Sequence, residues 1–176
     1  MVTNLNSLAL KISIAIKRIN PEETVSIEIM KYSLGIILNT LLTFIVSLSI
    51  GFILGNFFDT LIFYISLSLL RVFSGGIHLK TAAACNIVTI LICCMTPYLF
   101  QLSDNQLLYG TILCIILMLL FAPNPDKNTQ IPKKWYPLLK SISLILVGLN
   151  FFIGSSVIGL AFLVQSVTII PWKRRC

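Results

Sequence analysis

The chain carries a single histidine, His78, seven residues before Cys85 in the run RVFSGGIHLKTAAAC, Arg71 to Cys85. A thiol and an imidazole are the parts of a cysteine nucleophile: the imidazole holds the thiolate and later gives its proton to a leaving amine. Two cations, Arg71 and Lys80, flank the pair, and Gly75-Gly76 precede the histidine. Gly75-Gly76 are expected to break the helix or admit positive φ, and Thr81 to cap the helix that follows. Cys85 then falls at the end of a first helical turn. The positive end of the helix dipole, with Arg71 and Lys80, favours thiolate over thiol there. The same residues also fit a blander use, in which an interfacial histidine tip precedes a cysteine that merely fills space.

Geometry sharpens the expectation. On a straight helix, residues seven apart share a face but stand roughly 10.5 Å apart along the axis, too far for a hydrogen bond. Joint action of His78 and Cys85 therefore requires that Arg71 to Lys80 not be continuous helix, that the next span start near Thr81, and that a ring nitrogen come within about 4 Å of the sulfur. An unbroken helix would leave only pairing across a homodimer or a large rearrangement on substrate binding.

The elements that position this segment are membrane helices. Hydrophobic residues make up 57% of the 176, charged residues 11%, and the mean hydropathy is +0.95. Those values fit no soluble class. Apolar runs predict six spans near Tyr32–Leu54, Phe57–Leu70, Ala82–Phe100, Leu107–Phe121, Leu138–Ile153 and Ser155–Ile170. The expected architecture is an all-α polytopic bundle over residues 32–170 in one domain, 1–176. Residues 1–20 are expected to form an interfacial amphipathic helix, from Leu5, Leu8, Ile12, Ala15, Ile16 and Ile19 at helical spacing beside Lys11, Lys17 and Arg18. The N-terminus lacks the pattern of a removable signal peptide.

Cations test the topology independently. Lys31, Arg71, Lys80, Lys127, Lys133, Lys134, Lys140, Lys173, Arg174 and Arg175 all fall in or beside loops on the side of the N-terminus, and the opposite loops hold none. The positive-inside rule then puts both termini and the histidine segment in the cytosol. The net charge of +7 follows from that arrangement; it favours acidic peptides or anionic lipid and calls for no nucleic acid. The five cysteines form no C-x-x-C pair, and one histidine excludes a His-rich metal site. Cys93, Cys94 and Cys114 read as apolar filler, and nothing calls for a cofactor.

Arg71, Gly75-Gly76, His78 and Cys85, between the second and third of six spans, together with the basic amphipathic N-terminus and the Ala122-Pro123 step, resemble the accessory gene regulator B family of bacterial membrane cysteine endopeptidases in quorum sensing. NPDKNTQIPKKWYP matches the family's basic, proline-containing loop loosely, which bears on peptide specificity more than on chemistry. The resemblance implies that Cys85 attacks a small amphipathic precursor at the cytosolic face of the bacterial cell membrane. It implies His78 as general base and then acid, and an acidic C-terminal tail as leaving group. The acyl-enzyme thioester then passes to an internal thiol or hydroxyl, giving a thiolactone or lactone. Arg71 orients the precursor or an oxyanion, or merely snorkels; Lys80, Lys133 and Lys134 are candidate contacts for the acidic tail. No third catalytic residue is evident among Asn86, Ser74, Asp59 and the backbone. Two other classes stay open: a small transporter or peptide exporter using Asn39, Asn150 and Gln165, and a non-enzymatic scaffold.

Overall fold

The computed structural model describes residues 2–76, 81–124 and 132–171, leaving aside the side chains of 2–4 and 82. These residues form seven α-helices and one 3-10 turn: α1 (Val2–Ile19), α2 (Ile27–Ile53), α3 (Phe57–Ser74), α4 (Ala82–Leu99), α5 (Asp104–Phe121), η1 (Lys133–Trp135), α6 (Tyr136–Ile153) and α7 (Ser156–Thr168). The protein is an all-α membrane protein. By length and composition α2, α3, α5 and α6 with its η1 lead-in suffice to cross a bilayer; Ala83–Leu99 of α4 and the helix α7 are shorter apolar stretches. The 13 residues of α7 reach about 20 Å, against a hydrocarbon core of about 30 Å.

Helix starts follow local chemistry. Ser26, Thr81 and Ser155 each accept a backbone N–H two or three residues into the helix they precede, satisfying donors that apolar surroundings would strand. Ser103 and Gln106 form a reciprocal capping box at the start of α5.

Polar contacts fix helix direction. Asn39 and Asn86 exchange amide hydrogen bonds of 2.8 and 2.6 Å, and eight residues further along both helices Cys94 Sγ donates to Ser47 O at 3.4 Å. α2 and α4 therefore run parallel. α3 runs back against α2, with Tyr64 Oη donating to Thr40 O and Gly51 meeting Thr60 so closely that a Cβ at Gly51 would stand 2.5 Å from Thr60 Oγ1. Small residues at that crossing give the close approach by which membrane helices associate. At one end the backbone N–H of Leu102 donates to Ser156 Oγ; at the other, Lys140 Nζ donates to Leu119 O. Lys31, Arg71, Lys133, Lys134 and Lys140 thus all lie toward one end of the bundle.

The core has two parts sharing α3 and α7. Leu70, Met118, Val147, Phe162 and Ile169 pack where α3, α5, α6 and α7 meet, and Phe63, Leu67, Cys93 and Leu160 pack where α3, α4 and α7 meet. The short helix α7 is buried on most of its surface, which matches a helix apolar all round.

α1 lies along α2. The residues it buries are Ala9 and Ser13, while Leu8, Ile16 and Ile19 of the expected apolar stripe stay exposed. Its packing face therefore uses small side chains, and the larger apolar residues are left for other surroundings.

Removing one member of the Asn39–Asn86 pair strands the other amide away from water. Asn39→Leu is expected to lower stability by about 1–2 kcal/mol, and Asn39→Leu with Asn86→Leu to recover much of it, as read by denaturant titration in detergent. A double variant less stable than either single one would refute a matched amide pair.

Candidate functional site

α3 ends at Ser74 because two glycines follow with backbone angles closed to most side chains, φ 74° at Gly75 and 144° at Gly76. α4 opens at Ala82 behind Thr81, whose Oγ1 accepts Ala84 N–H at 3.2 Å. Cys85 N donates to Thr81 O at 3.1 Å, so Cys85 closes the first turn. The expectations of a helix break at the glycines and of a new span near Thr81 match this geometry. Arg71 stands on the last turn of α3, which ends at Ser74, four residues past the expected end of that span. His78 and Lys80, and with them the expected imidazole–sulfur distance, lie outside the described residues.

Arg71 and Cys85 are brought together on one cavity of about 300 Å³ between α3, α4 and α7. Thr89 of α4 and Gln165 and Thr168 of α7 add to its polar lining, and Leu67, Ile92 and Val164 supply apolar wall. Of the four described cysteines, Cys93, Cys94 and Cys114 are at most 2% exposed and sit in the bundle interior, whereas Cys85 is half-buried. Lys133 and Lys134 do not line this cavity; they are exposed on η1, with Lys134 Nζ 5.9 Å from the Trp135 ring centroid.

The glycine pair is held on α7. Gln165, fully buried, donates through Nε2 to Ser74 Oγ at 2.9 Å and to Gly75 O at 2.6 Å, while its Oε1 accepts from Thr168 Oγ1 at 3.2 Å. A Cβ at Gly76 would stand 3.0 Å from Thr168 Oγ1, so this position takes glycine for space as well as for φ. Asn124, just beyond the cis Ala122-Pro123 bond, supplies the second anchor. Its N–H donates to Ser74 O at 2.9 Å, its carbonyl accepts from Gly76 N at 3.0 Å, and its side chain donates to Ile169 O at 3.0 Å.

Gln165 and Asn124 were not among the peptidase site residues read from sequence, where Gln165 figured only with Asn39 and Asn150 as a polar group for transport. The remaining candidates sort by position. Asn86 turns from Cys85 to Asn39. Ser74 is occupied by Gln165. Asp59 lies in the first turn of α3, about 18 Å along the helix from Arg71. Among the described residues no cluster of His, Cys, Asp and Glu suits a metal ion.

These features define a helical membrane protein with a thiol at the mouth of an apolar cavity. A model of the family described as Accessory gene regulator B matches residues 6–171, and the chain belongs to that family. An AgrB-like protein of Halalkalibacterium halodurans is 28% identical over 173 residues, 95% of this chain and 87% of its own length. Accessory gene regulator protein B of Staphylococcus aureus strain RF122 is 29% identical, and that of Staphylococcus intermedius 30%, each over 82% of this chain and 84% of its own. No solved structure matches.

Burial separates the thiols. Iodoacetamide at neutral pH is expected to label Cys85 at least about tenfold faster than Cys93, Cys94 or Cys114, as read by peptide mass spectrometry; equal labelling of the four would contradict this placement. Gln165→Leu is expected to cost about 1–3 kcal/mol by removing the amide donor that the buried Ser74 hydroxyl and the Gly75 carbonyl share, and unchanged unfolding would show that Asn124 suffices.

Proposed function

We propose that the protein acts in quorum sensing as a membrane cysteine endopeptidase that cleaves a small amphipathic precursor at the cytosolic face and promotes its cyclisation. One observation carries the reading: the half-buried thiol among the described cysteines closes the first turn of α4 and lines an apolar cavity with Arg71. The N–H groups of that turn and the guanidinium give the sulfur a positive setting.

In the proposed reaction Cys85 Sγ attacks the carbonyl that ends the signal sequence, after His78 has taken the thiol proton. The C–N bond breaks, His78 passes its proton to the departing amine, and the acidic tail leaves. The thioester on Cys85 then exchanges with an internal thiol of the precursor. Exchange of one thioester for another is close to thermoneutral, whereas condensing an acid and a thiol in water is uphill. Water is the competing acceptor, and the apolar cavity wall limits its access. In this reading Arg71, on the same cavity as Cys85, orients the precursor or the oxyanion. Lys133 and Lys134, with the other cations at that end, attract the acidic tail and anionic headgroups.

A transporter or exporter is the competing reading, and the intramembrane amides weigh against it. Asn39 is paired with Asn86, Gln165 ties α7 to α3, and Asn150 donates to Ser155 O. The Asn39–Asn86 pair and Gln165 hold separate helices together, while Asn150 bridges the α6–α7 turn and leaves its Oδ1 unpartnered among the described residues.

The test uses the full chain in anionic vesicles with a synthetic precursor of amphipathic start, internal cysteine and acidic tail. Wild-type protein is expected to release the tail and to carry a hydroxylamine-sensitive acyl adduct on Cys85. Cys85→Ala is expected to abolish both, and His78→Ala to slow cleavage by about 10²–10⁴-fold. Cleavage that survives Cys85→Ala would overturn the reading in favour of the alternatives. Lys133→Glu with Lys134→Glu is expected to slow processing at low salt, with the difference from wild type shrinking as salt rises. Equal turnover at every ionic strength would confine these lysines to setting topology.

A further inference from the structure

The cavity has a depth profile that the proposed chemistry does not by itself require. On α4, Cys85, Val88, Thr89 and Ile92 of its lining occupy the i, i+3, i+4 and i+7 positions of one helix face. The wall therefore descends about 10.5 Å from Cys85 to Ile92. On α3, Leu67 lies one turn deeper than Arg71, and on α7 Val164 lies one turn deeper than Thr168. The Gln165–Ser74 hydrogen bond sets the ends of α3 and α7 level. Arg71, Cys85 and Thr168 thus ring the mouth, Thr89 and the buried Gln165 line the middle, and Leu67, Ile92 and Val164 form the floor.

The geometry points to this crevice as a specificity pocket for one large apolar side chain, that of the residue whose carbonyl Cys85 attacks. The assignment rests on the endopeptidase reading. A volume of about 300 Å³ lies at the small end of ligand pockets and is about twice the cavity that takes a benzene ring, enough for one large apolar side chain with part of its backbone and too small for a length of folded peptide. The floor holds no cation, so an acidic residue of the leaving tail would be buried there unpaired, at high cost. The acyl residue is the part that must stay: it remains bonded to sulfur while the amine fragment departs. Burying its side chain beneath the thioester retains it and displaces water from the carbonyl. Val88 and Val167 are exposed, so the crevice opens sideways between α4 and α7, where a chain lying on the membrane can enter.

The test acylates Cys85 of the full-length protein in vesicles with small thioesters of 2-mercaptoethanesulfonate carrying N-acetyl-Phe, N-acetyl-Leu, N-acetyl-Ala or N-acetyl-Trp. In each case Sγ displaces the sulfonate thiolate, so one thioester forms as one breaks and nothing is oxidised. Intact-protein mass reads the rate. Wild-type protein is expected to react with the Phe and Leu donors at least about tenfold faster than with the Ala donor. Val164→Phe, which fills the floor, is expected to cut the Phe rate about tenfold while sparing Ala, and Ile92→Ala to raise the Trp rate. The two variants shift the ranking in opposite directions, which partitioning of the donors into lipid would not do. Should Val164→Phe fail to assemble, the Ile92→Ala ranking decides alone. A wild-type ranking retained in the variants overturns the pocket and leaves the nucleophile standing. Acylation of wild-type Cys85 no faster than that of a cysteine peptide, whatever the donor, overturns the endopeptidase reading and the pocket with it.

Discussion

The carboxamide of Gln165 is the joint at which the geometry of the candidate site is fixed. It is fully buried in a helix otherwise apolar on nearly every side. In such surroundings an unmatched amide costs several kcal/mol, so its partners are close to obligatory. Those partners are Ser74 Oγ and Gly75 O, the last turn and cap of α3. The hydrogen bonds set α3 and α7 level, bring Arg71 over the crevice, and deliver the chain to Gly76 at a defined point. Asn124 repeats the logic from the end of α5, meeting the same Ser74–Gly76 segment through its backbone. Three helix ends are thereby joined where the chain departs toward His78.

The bilayer explains why amides do this work. Between membrane helices apolar contacts give no advantage over lipid, and association depends on close packing and interhelical hydrogen bonds. Gly51 against Thr60 supplies the first, and the Asn39–Asn86 exchange the second. That exchange also aims Cys85. With Asn86 fixed toward α2, the neighbouring residue is rotated about 100° around the α4 axis, toward α3 and α7. A residue adjacent to the candidate nucleophile thus serves it by orientation.

Local signals in the sequence anticipated local structure. The glycine break, the Thr81 cap, the first-turn place of Cys85 and most helix boundaries depend on residues within one turn of each other, which a pattern displays. Boundaries moved where a polar residue did not end a helix: α3 runs through Arg71 to Ser74, and α2 begins at Ile27 because Ser26 caps it. The packing face of α1 was less legible. Hydrophobic periodicity marks the large apolar residues, but close approach to α2 selected Ala9 and Ser13. The Gln165 and Asn124 anchors were out of reach for a different reason. They join residues 90 and about 50 positions apart, and no local spacing encodes which buried amide finds which helix end.

A nucleophile on the first turn of a membrane helix stands where two solvents meet, and its chemistry divides along the same line. Thiolate, guanidinium and departing amine are charged or strongly polar, and the mouth of the crevice lies at the end of the bundle that carries the cations. In the proposed reaction the acyl group is the apolar half, and the floor formed by Leu67, Ile92 and Val164 is apolar to match. A soluble protein would have to build that dry floor from its own limited core. Here a gap between three helices is enough, because whatever surrounds the gap is apolar already. In the proposed reaction the leaving tail is drawn away from the sulfur by its charge while the thioester is held in place by its side chain. That opposition delays hydrolysis for as long as the internal thiol needs to arrive.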